Sequence, residues 1–184
     1  MNAIKIRSRK ALKFLGLLIS AMVIAAVSAQ VYSFMYIHGT GEATTTGLRW
    51  VLGDDAPNGT TISGGTVTAL PLTTNEGNER NYTDCLRIQN LDPAEDHNFW
   101  LNVTLSTGDW GNWTKFNLVV FNGPPNTTGV QQAVLSLKAL NSVDGLTIPQ
   151  GATWYILFEL VPIANPTTGQ QVNFEVKLTY ESAA

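Results

Sequence analysis

The sequence has a single cysteine, Cys85, among its 184 residues. One cysteine cannot form an intrachain disulfide, so the fold must be held together by a hydrophobic core. Cys85 lies in a strand-like stretch with no metal-ligand pattern nearby, which favours an inert packing residue over a reactive thiol. Histidine is equally scarce, since only His38 and His97 occur and each is isolated. This scarcity argues against a metal centre and against a histidine-dependent catalytic triad.

Charged residues are few, at 14% of the chain, and the basic ones are unevenly placed. Five of the 11 lie before residue 14, whereas all 14 acidic residues follow Ala29. Residues 30–184 therefore hold six basic and 14 acidic residues, which gives a net charge of −8. A nucleic-acid partner needs a basic surface, so this charge argues against nucleic-acid binding.

Catalytic and nucleotide-binding motifs are also missing. The sequence contains no G-x-S-x-G, no H-E-x-x-H, no P-loop and no dinucleotide-binding fingerprint. Two short acidic clusters, Asp54–Asp55 and Asp92 with Glu95–Asp96, lack the spacing of a known calcium loop, and solvated turns explain them. We therefore predict that the chain is not an enzyme and holds no metal or cofactor.

The N-terminus has the pattern of a secretory signal. Basic residues up to Lys13 are followed by the apolar run 14–27 and then by small residues at Val27–Ala29. We predict a signal peptide over residues 1–29, cleaved before Gln30. The alternative is that residues 12–37 are retained, because they are long enough to span a bilayer as an anchor or as the helix of a type IV-like pilin. Both interpretations place the rest of the chain outside the cytoplasm, secreted or at the cell surface.

The remainder of the sequence predicts an all-β fold, an antiparallel β-sandwich. Short runs of Thr, Val and aromatic residues alternate with clusters of Gly, Pro and Asn, and there is no internal repeat. We expect one sandwich domain over residues 48–184, preceded by an N-terminal strand and linker over residues 30–47. Predicted strands cover Val31–Ile37, Leu48–Leu52, Thr66–Leu72, Tyr82–Gln89, Asn98–Leu105, Lys115–Phe121, Gln131–Leu140, Thr153–Leu160 and Gln171–Tyr180. The stretch Gln131–Leu140 is also compatible with a short helix.

Apolar residues alternate with polar ones in several of these strands, which is typical of half-buried strands. The predicted inward rows are Phe99, Leu101, Val103 and Leu105; Trp154, Ile156, Phe158 and Leu160; and Val172, Phe174, Val176, Leu178 and Tyr180. Turn residues cluster at 54–59, 122–126, 143–145 and 165–169.

Asn-x-Thr sequons are the clearest local motif, and each is a candidate glycosylation site. They occur at Asn58, Asn81, Asn102, Asn112 and Asn126. Asn102 alternates with Leu101 and Val103, so its side chain should face solvent. A Thr- and Asn-rich β-protein also produces unused sequons by chance, and the sequence alone does not separate the two cases.

Trp110 and Trp113 stand close together in a polar stretch, DWGNWT. Tryptophans in such a loop can stack on sugars or fill a groove on a partner. The interpretation that we favour is that they cover one end of the sandwich as a lid on the core.

The segment that follows the predicted cleavage site has apolar side chains on both faces and no charge. It consists of Gln30, Val31, Tyr32, Ser33, Phe34, Met35, Tyr36 and Ile37, and a Gly- and Thr-rich linker (38–47) follows it. A free segment of this kind is prone to aggregate unless it joins a sheet. It can pair within its own domain, or it can add a strand to a neighbouring subunit. Strand donation from head to tail does not close on itself, so it builds a filament.

The stretch from Arg80 to the C-terminus resembles the TasA/camelysin group of biofilm fibre proteins and the related archaeal bundling pilins. The resemblance is carried by CLRIQNLDP, FWLNVTLSTGDW, IPQGATWYILFEL and TGQQVNFEVKLTY, in that order. It implies a jelly-roll-like fold, an exported subunit and polymerisation through an N-terminal donor strand, here residues 30–37.

We therefore expect a glycosylated subunit of an extracellular filament, a pilus or a matrix fibre, with the membrane involved only during export. Its partners would be further copies of itself, joined head to tail, and the filaments of neighbouring cells. Two alternatives stay open: a cell-surface carbohydrate-binding module that uses Trp110 and Trp113, and a type IV-like pilin that retains its apolar helix.

Overall fold

The computed structural model describes residues 47–63, 66–74, 78–166 and 171–182. The predicted signal peptide, the predicted strand Val31–Ile37 and the linker up to residue 46 lie outside these described residues. Within them the chain forms β-strands and one short 3₁₀ turn, Trp110–Asn112, and no α-helix. The strands are β1 (Leu48–Leu52), β2 (Thr61–Ser63), β3 (Thr66–Ala69), β4 (Arg80–Asn90), β5 (His97–Gly108), β6 (Trp113–Phe121), β7 (Gln131–Ser136), β8 (Ser142–Ile148), β9 (Thr153–Pro162) and β10 (Val172–Ser182).

The longer strands form two antiparallel sheets. One has five strands in the order β1-β4-β9-β6-β7, and the other has three in the order β10-β5-β8, while β2 and β3 form a separate hairpin. The inner faces of the two sheets share one core, in which the Phe116 and Phe174 rings are 5.7 Å apart and the Phe99 and Trp154 rings 5.5 Å apart. The prediction of an all-β, β-sandwich-like antiparallel fold is therefore confirmed.

The alternation predicted for the last two strands is present in the structure. On β9, Trp154 and every second residue to Leu160 are buried, and on β10 the buried row runs from Val172 to Leu178. Burial of these rows removes large apolar side chains from water, which is the dominant favourable term in folding. Tyr180 is partly buried and packs against the same core.

One predicted inward residue faces outward. Leu105 is 38% exposed, because β5 has an extra residue, Thr104, between its pairings with Val176 and Glu175 of β10. Such a bulge shifts the side-chain alternation by one residue. Ser106 therefore takes the next inward position, and its hydroxyl donates a hydrogen bond to the Leu137 carbonyl at 2.9 Å.

A second correction concerns residues 143–145, which form part of β8 and not a turn. Phe99 pairs with Leu146 and Leu101 pairs with Val143, so Asp144 and Gly145 together lie opposite one residue of β5. This bulge explains why a turn-like Asp-Gly pair occurs inside a strand. The short strand β2 was also not predicted, and Gln131–Leu140 forms a strand only over Gln131–Ser136, with no helix.

A third irregularity, on β4, shapes the nearby loop. Tyr82 pairs with Phe158 and Leu86 pairs with Ile156, so three residues of β4 lie opposite a single residue of β9. The loop after β1 supplies replacement partners, since the Gly53 N–H donates to the Cys85 carbonyl at 3.1 Å and the Asp55 N–H to the Asp84 carbonyl at 2.9 Å. The bulge therefore fixes the β1–β2 loop against β4.

Candidate functional site

Four of the five sequon asparagines have side chains that reach solvent. Asn58 lies in the β1–β2 loop, Asn126 in the β6–β7 loop and Asn81 on β4, and all three are exposed. Asn102 is partly exposed on β5, where it pairs with the exposed Lys177 of β10. Its neighbours Leu101 and Val103 are buried, so Asn102 occupies the outer face of the three-stranded sheet, as its position in the sequence predicts.

Asn112 differs from the other four. Its side chain is only 7% exposed at the end of the 3₁₀ turn, and its Nδ2 lies 3.2 Å from Oδ2 of Asp109, to which it donates. Its backbone carbonyl accepts a hydrogen bond from the Ile163 N–H at 3.0 Å. A glycan attached at this nearly buried Nδ2 would find no room, so the 3₁₀ turn would have to open to admit it. The hydrogen bonds of Asn112 to Asp109 and Ile163 therefore stabilise the 3₁₀ turn.

The two loop tryptophans pack onto the core. Trp113 is 3% exposed, and both indole rings meet Phe116 edge to face, with ring centres 5.0 Å away for Trp113 and 5.6 Å for Trp110. Lys138 donates a hydrogen bond from Nζ to the Trp113 carbonyl, which helps to hold the Trp113 backbone in place. Aromatic pairs of this geometry stabilise a core beyond the area that they bury. The lid interpretation is therefore confirmed, and Trp113 offers no free face for stacking on a sugar.

Cys85 is fully buried within the bulged part of β4. Burial raises the pKa of its thiol well above the usual range, and the negative charges of Asp55 and Asp84 raise it further. A thiolate is the reactive form of cysteine, and it is strongly disfavoured here. The structure agrees with the prediction of an inert packing residue.

The Asp54–Asp55 cluster is occupied by protein hydrogen-bond donors. Asp55 Oδ2 accepts the Thr83 N–H at 2.9 Å, and Asp54 Oδ2 lies 2.8 Å from the guanidinium of Arg87. Arg87 also makes a bidentate contact with Asp84, and these hydrogen bonds raise the pKa of the guanidinium above its ordinary value. Through these hydrogen bonds and ion pairs, the carboxylates of Asp54 and Asp55 hold the β1–β2 loop on β4. A groove of about 300 Å³ lies beside the cluster and is lined also by Asn126 and Tyr155.

The second acidic cluster builds the turn before β5. Asp92 Oδ1 accepts the N–H groups of Ala94 and Glu95, at 2.9 and 3.2 Å, and Asp96 Oδ1 accepts the Gln150 N–H at 2.8 Å. His97 is 5% exposed, with Nε2 3.7 Å from Asp92 Oδ2. Within the described ranges, no group of three or more His, Cys, Asp or Glu side chains is arranged to hold a metal ion.

The predicted donor strand, residues 30–37, lies outside the described residues, so the structure does not place it. The described chain begins at Gly47, beside β10. A Cβ built on Gly47 would lie 2.5 Å from the Tyr180 hydroxyl, which shows how closely the two residues pack.

The fold and these contacts define a β-sandwich-like antiparallel domain. No protein-family model matches the chain, and no curated protein matches it. No helix in the described part of the chain is long and apolar enough to cross a membrane.

Proposed function

We propose that the chain is a structural subunit of an extracellular filament, a pilus or a biofilm matrix fibre, which polymerises by donor-strand complementation. The observation that carries the proposal is a segment of eight uncharged residues, 30–37, joined by a ten-residue linker to a domain whose smaller sheet has three strands within the described part of the chain. An apolar strand of this kind needs a sheet edge, and a three-stranded sheet can accept another strand.

Export is part of the proposal. The basic residues before residue 14 and the apolar run 14–27 would direct the chain through the membrane, and cleavage before Gln30 would free the donor strand. The net charge of −8 over residues 30–184 is compatible with a soluble outer surface. The intact mass of the surface protein tests this step, because a chain that begins near Ala11 would instead indicate a retained pilin helix.

The resemblance to the TasA/camelysin group supports the same role. The four stretches that carry the resemblance lie on or beside β4, β5, β9 and β10. We propose on this basis that the sandwich has jelly-roll-like connections and that its role is structural, with no catalytic function. The burial of Trp113 and the packing of Trp110 on Phe116 weigh against a carbohydrate-binding module.

Glycosylation belongs to the proposal for four sequons. Asn58, Asn81, Asn102 and Asn126 present side chains to solvent, whereas Asn112 is buried. Glycans at the first four would lie on the outside of the subunit, where they add bulk and solubility.

Negative-stain microscopy tests the assembly. We expect purified residues 30–184 to form filaments and a protein lacking residues 30–38 to remain monomeric. A finer comparison places two charges in the donor strand, Phe34→Asp with Tyr36→Asp, and two in the linker, Thr44→Asp with Thr46→Asp. Only the first pair should prevent filaments, because only the strand is buried on assembly. Monomers under all conditions for the unaltered residues 30–184 would overturn the proposal.

A further inference from the structure

The groove of about 300 Å³ beside the β1–β2 loop has an aromatic side chain in its lining. Tyr155 lines it from β9, where it alternates with buried core residues and therefore lies on the outer face of the five-stranded sheet. The β1–β2 loop contributes Asp54, and the β6–β7 loop contributes Pro125 and Asn126. The volume is at the low end of the range for small-molecule sites, about 300–1,000 Å³. The groove thus lies between two loops that are far apart along the chain.

Asn126 is the sequon asparagine that lines this groove, and its side chain is exposed. The sequon is completed by Thr128, which is also exposed. A glycan on Asn126 would begin at the side-chain amide, so a covalent bond would hold the first sugar at the groove. Asn58 is exposed as well, but it is not part of this lining. The two sequons therefore differ in what a glycan would meet.

The loop that carries Asn126 is held in shape by its own hydrogen bonds. The Thr127 N–H donates to the Pro124 carbonyl at 3.1 Å, and the Val130 N–H donates to Asn122 Oδ1 at 2.9 Å. Consecutive prolines in this loop restrict its backbone further. A sugar attached to such a loop loses less conformational freedom on packing than one attached to a mobile loop.

The groove offers both kinds of contact that a sugar makes. The Tyr155 ring presents apolar surface on which the C–H groups of a sugar can pack, and the Arg87 guanidinium lies 5.2 Å from the ring centre. The side chain of Asp54 is 89% exposed, and its ion pair with Arg87 uses part of its acceptor capacity. A carboxylate has about four acceptor positions, so Asp54 can also accept hydrogen bonds from sugar hydroxyls.

We propose that this groove, with Tyr155 as its aromatic surface, binds the first sugars of an N-linked glycan on Asn126 of the same chain. The inference rests on the glycosylation in the proposed function, and it adds the place where one glycan packs. A sugar that extends from Asn126 to Tyr155 and Asp54 joins the β6–β7 loop to the β1–β2 loop. This glycan therefore stabilises the folded domain.

Unfolding of the full chain, isolated from cells that glycosylate it, tests the site. Asn126→Gln and Thr128→Ala each remove this sequon, and Asn58→Gln is the matched control because it removes an exposed sequon outside the groove. We expect the first two variants to lower the unfolding temperature by about 2–4 °C, the shift that the loss of a modest contact gives in a domain of this size. Asn58→Gln should leave it unchanged. In protein made without glycosylation, all three variants should unfold at the temperature of the unaltered chain.

A second variant tests the aromatic surface. In a glycosylated chain that carries Tyr155→Leu, the further change Asn126→Gln should cause no additional fall in the unfolding temperature, because the glycan has already lost its contact. Tyr155 also contacts Arg87, but that loss is present in both chains and cancels in the comparison. An undiminished fall would overturn the role of Tyr155.

Two results would overturn the whole site: equal unfolding temperatures for Asn126→Gln, Asn58→Gln and the unaltered glycosylated chain, or a native protein with no glycan on Asn126. Neither result bears on assembly, which the microscopy of residues 30–184 tests. Absence of filaments there would overturn the proposed filament and leave the groove as a glycan site.

Discussion

The backbone of Gly53 lies directly against that of Asp84, so that a Cβ built on Gly53 would fall 1.9 Å from the Asp84 carbonyl oxygen. Real Cβ atoms do not approach a backbone oxygen so closely, and the opposing atom cannot rotate away as a side chain could. The contact exists because the bulge of β4 turns its carbonyls toward the β1–β2 loop. Glycine is therefore required at position 53 because the Asp84 backbone leaves no room for a side chain. Its backbone conformation is not the reason, since its φ is not in the left-handed region.

Gly53→Ala should lower the free energy of unfolding by about 3 kcal/mol, because the new methyl group would push the loop off β4. Gly151→Ala is the matched control. Gly151 has open space around it but a φ of +64°, and backbone strain alone should cost about 1 kcal/mol there. Denaturant unfolding of the two purified proteins measures both values. Equal losses would show that the β1–β2 loop is free to move away from Asp84.

The aromatic lid provides a second prediction. Trp113→Ala should lower the free energy of unfolding by about 3–5 kcal/mol, because it empties a buried site beside Phe116. Trp110→Ala should cost less, since Trp110 is only partly buried. Thermal or denaturant unfolding checks the order of the two variants. A stable Trp113→Ala protein that has lost binding on a glycan array would support the carbohydrate-binding alternative.

The sequons provide a third prediction. Mass spectrometry of peptides from the native surface protein should find glycans at exposed positions such as Asn126 and none at Asn112. Asn112→Ala should lower the free energy of unfolding by about 1 kcal/mol, since it removes the hydrogen bond to Asp109. In the unglycosylated protein, Asn126→Ala should change it by less than about 0.5 kcal/mol. A glycan found on Asn112 would contradict the structural role of that residue.

Cys85 provides a fourth prediction, with a pH dependence. In the native protein a thiol reagent should react with Cys85 at least about 100-fold more slowly than in the unfolded chain, because the site must open first. The folded pKa is raised above its ordinary value of 9.0. The unfolded thiol therefore ionises first, and the stability that the neutral thiol contributes should be complete below pH 9 and decline as the pH rises above it.

Cys85→Ser tests that decline. The variant has no group that ionises in this range at this site, so its stability should fall less between pH 9 and pH 10.5 than that of the unaltered protein. Parallel denaturant titrations at the two pH values measure the difference. An equal loss of stability between the two pH values in both proteins would show that ionisation of the Cys85 thiol does not cause the decline.

The sequence predicted the long strands well and the bulges poorly. Alternation over β9 and β10 identified both strands and their buried rows, because each strand is regular and has one face in the core. Thr104 carries no sign that it is an extra residue, so Leu105 was assigned to the wrong face. The pair Asp144–Gly145 resembles a turn in any short window, and only its pairing with β5 shows that it is a bulge.

The loops illustrate a further limit of the sequence. A sequon is a pattern of three neighbouring residues, so it does not predict whether its asparagine is exposed. The burial of Asn112 depends on the 3₁₀ turn and on Ile163, which is far away along the chain. The acidic residues of the β1–β2 loop lie in a turn, as predicted, and Asp54 is exposed, but the local sequence did not show that Asp55 accepts the Thr83 N–H from the bulge of β4. Contacts of this kind depend on tertiary packing, which the local sequence does not encode.

The pairing of β5 with β10 has a consequence for the time course of folding. His97 pairs with Ser182 and Gly108 with Val172. The central strand of the smaller sheet, β5, therefore cannot form this pairing until β10 has been synthesised. Contacts between such distant segments slow the search for the native state. A chain that threads through a membrane from its N-terminus would expose Phe99 and Leu101 until β10 arrives. Until β10 pairs with β5, these apolar side chains lack the cover that they have in the folded domain, which favours aggregation of the nascent chain.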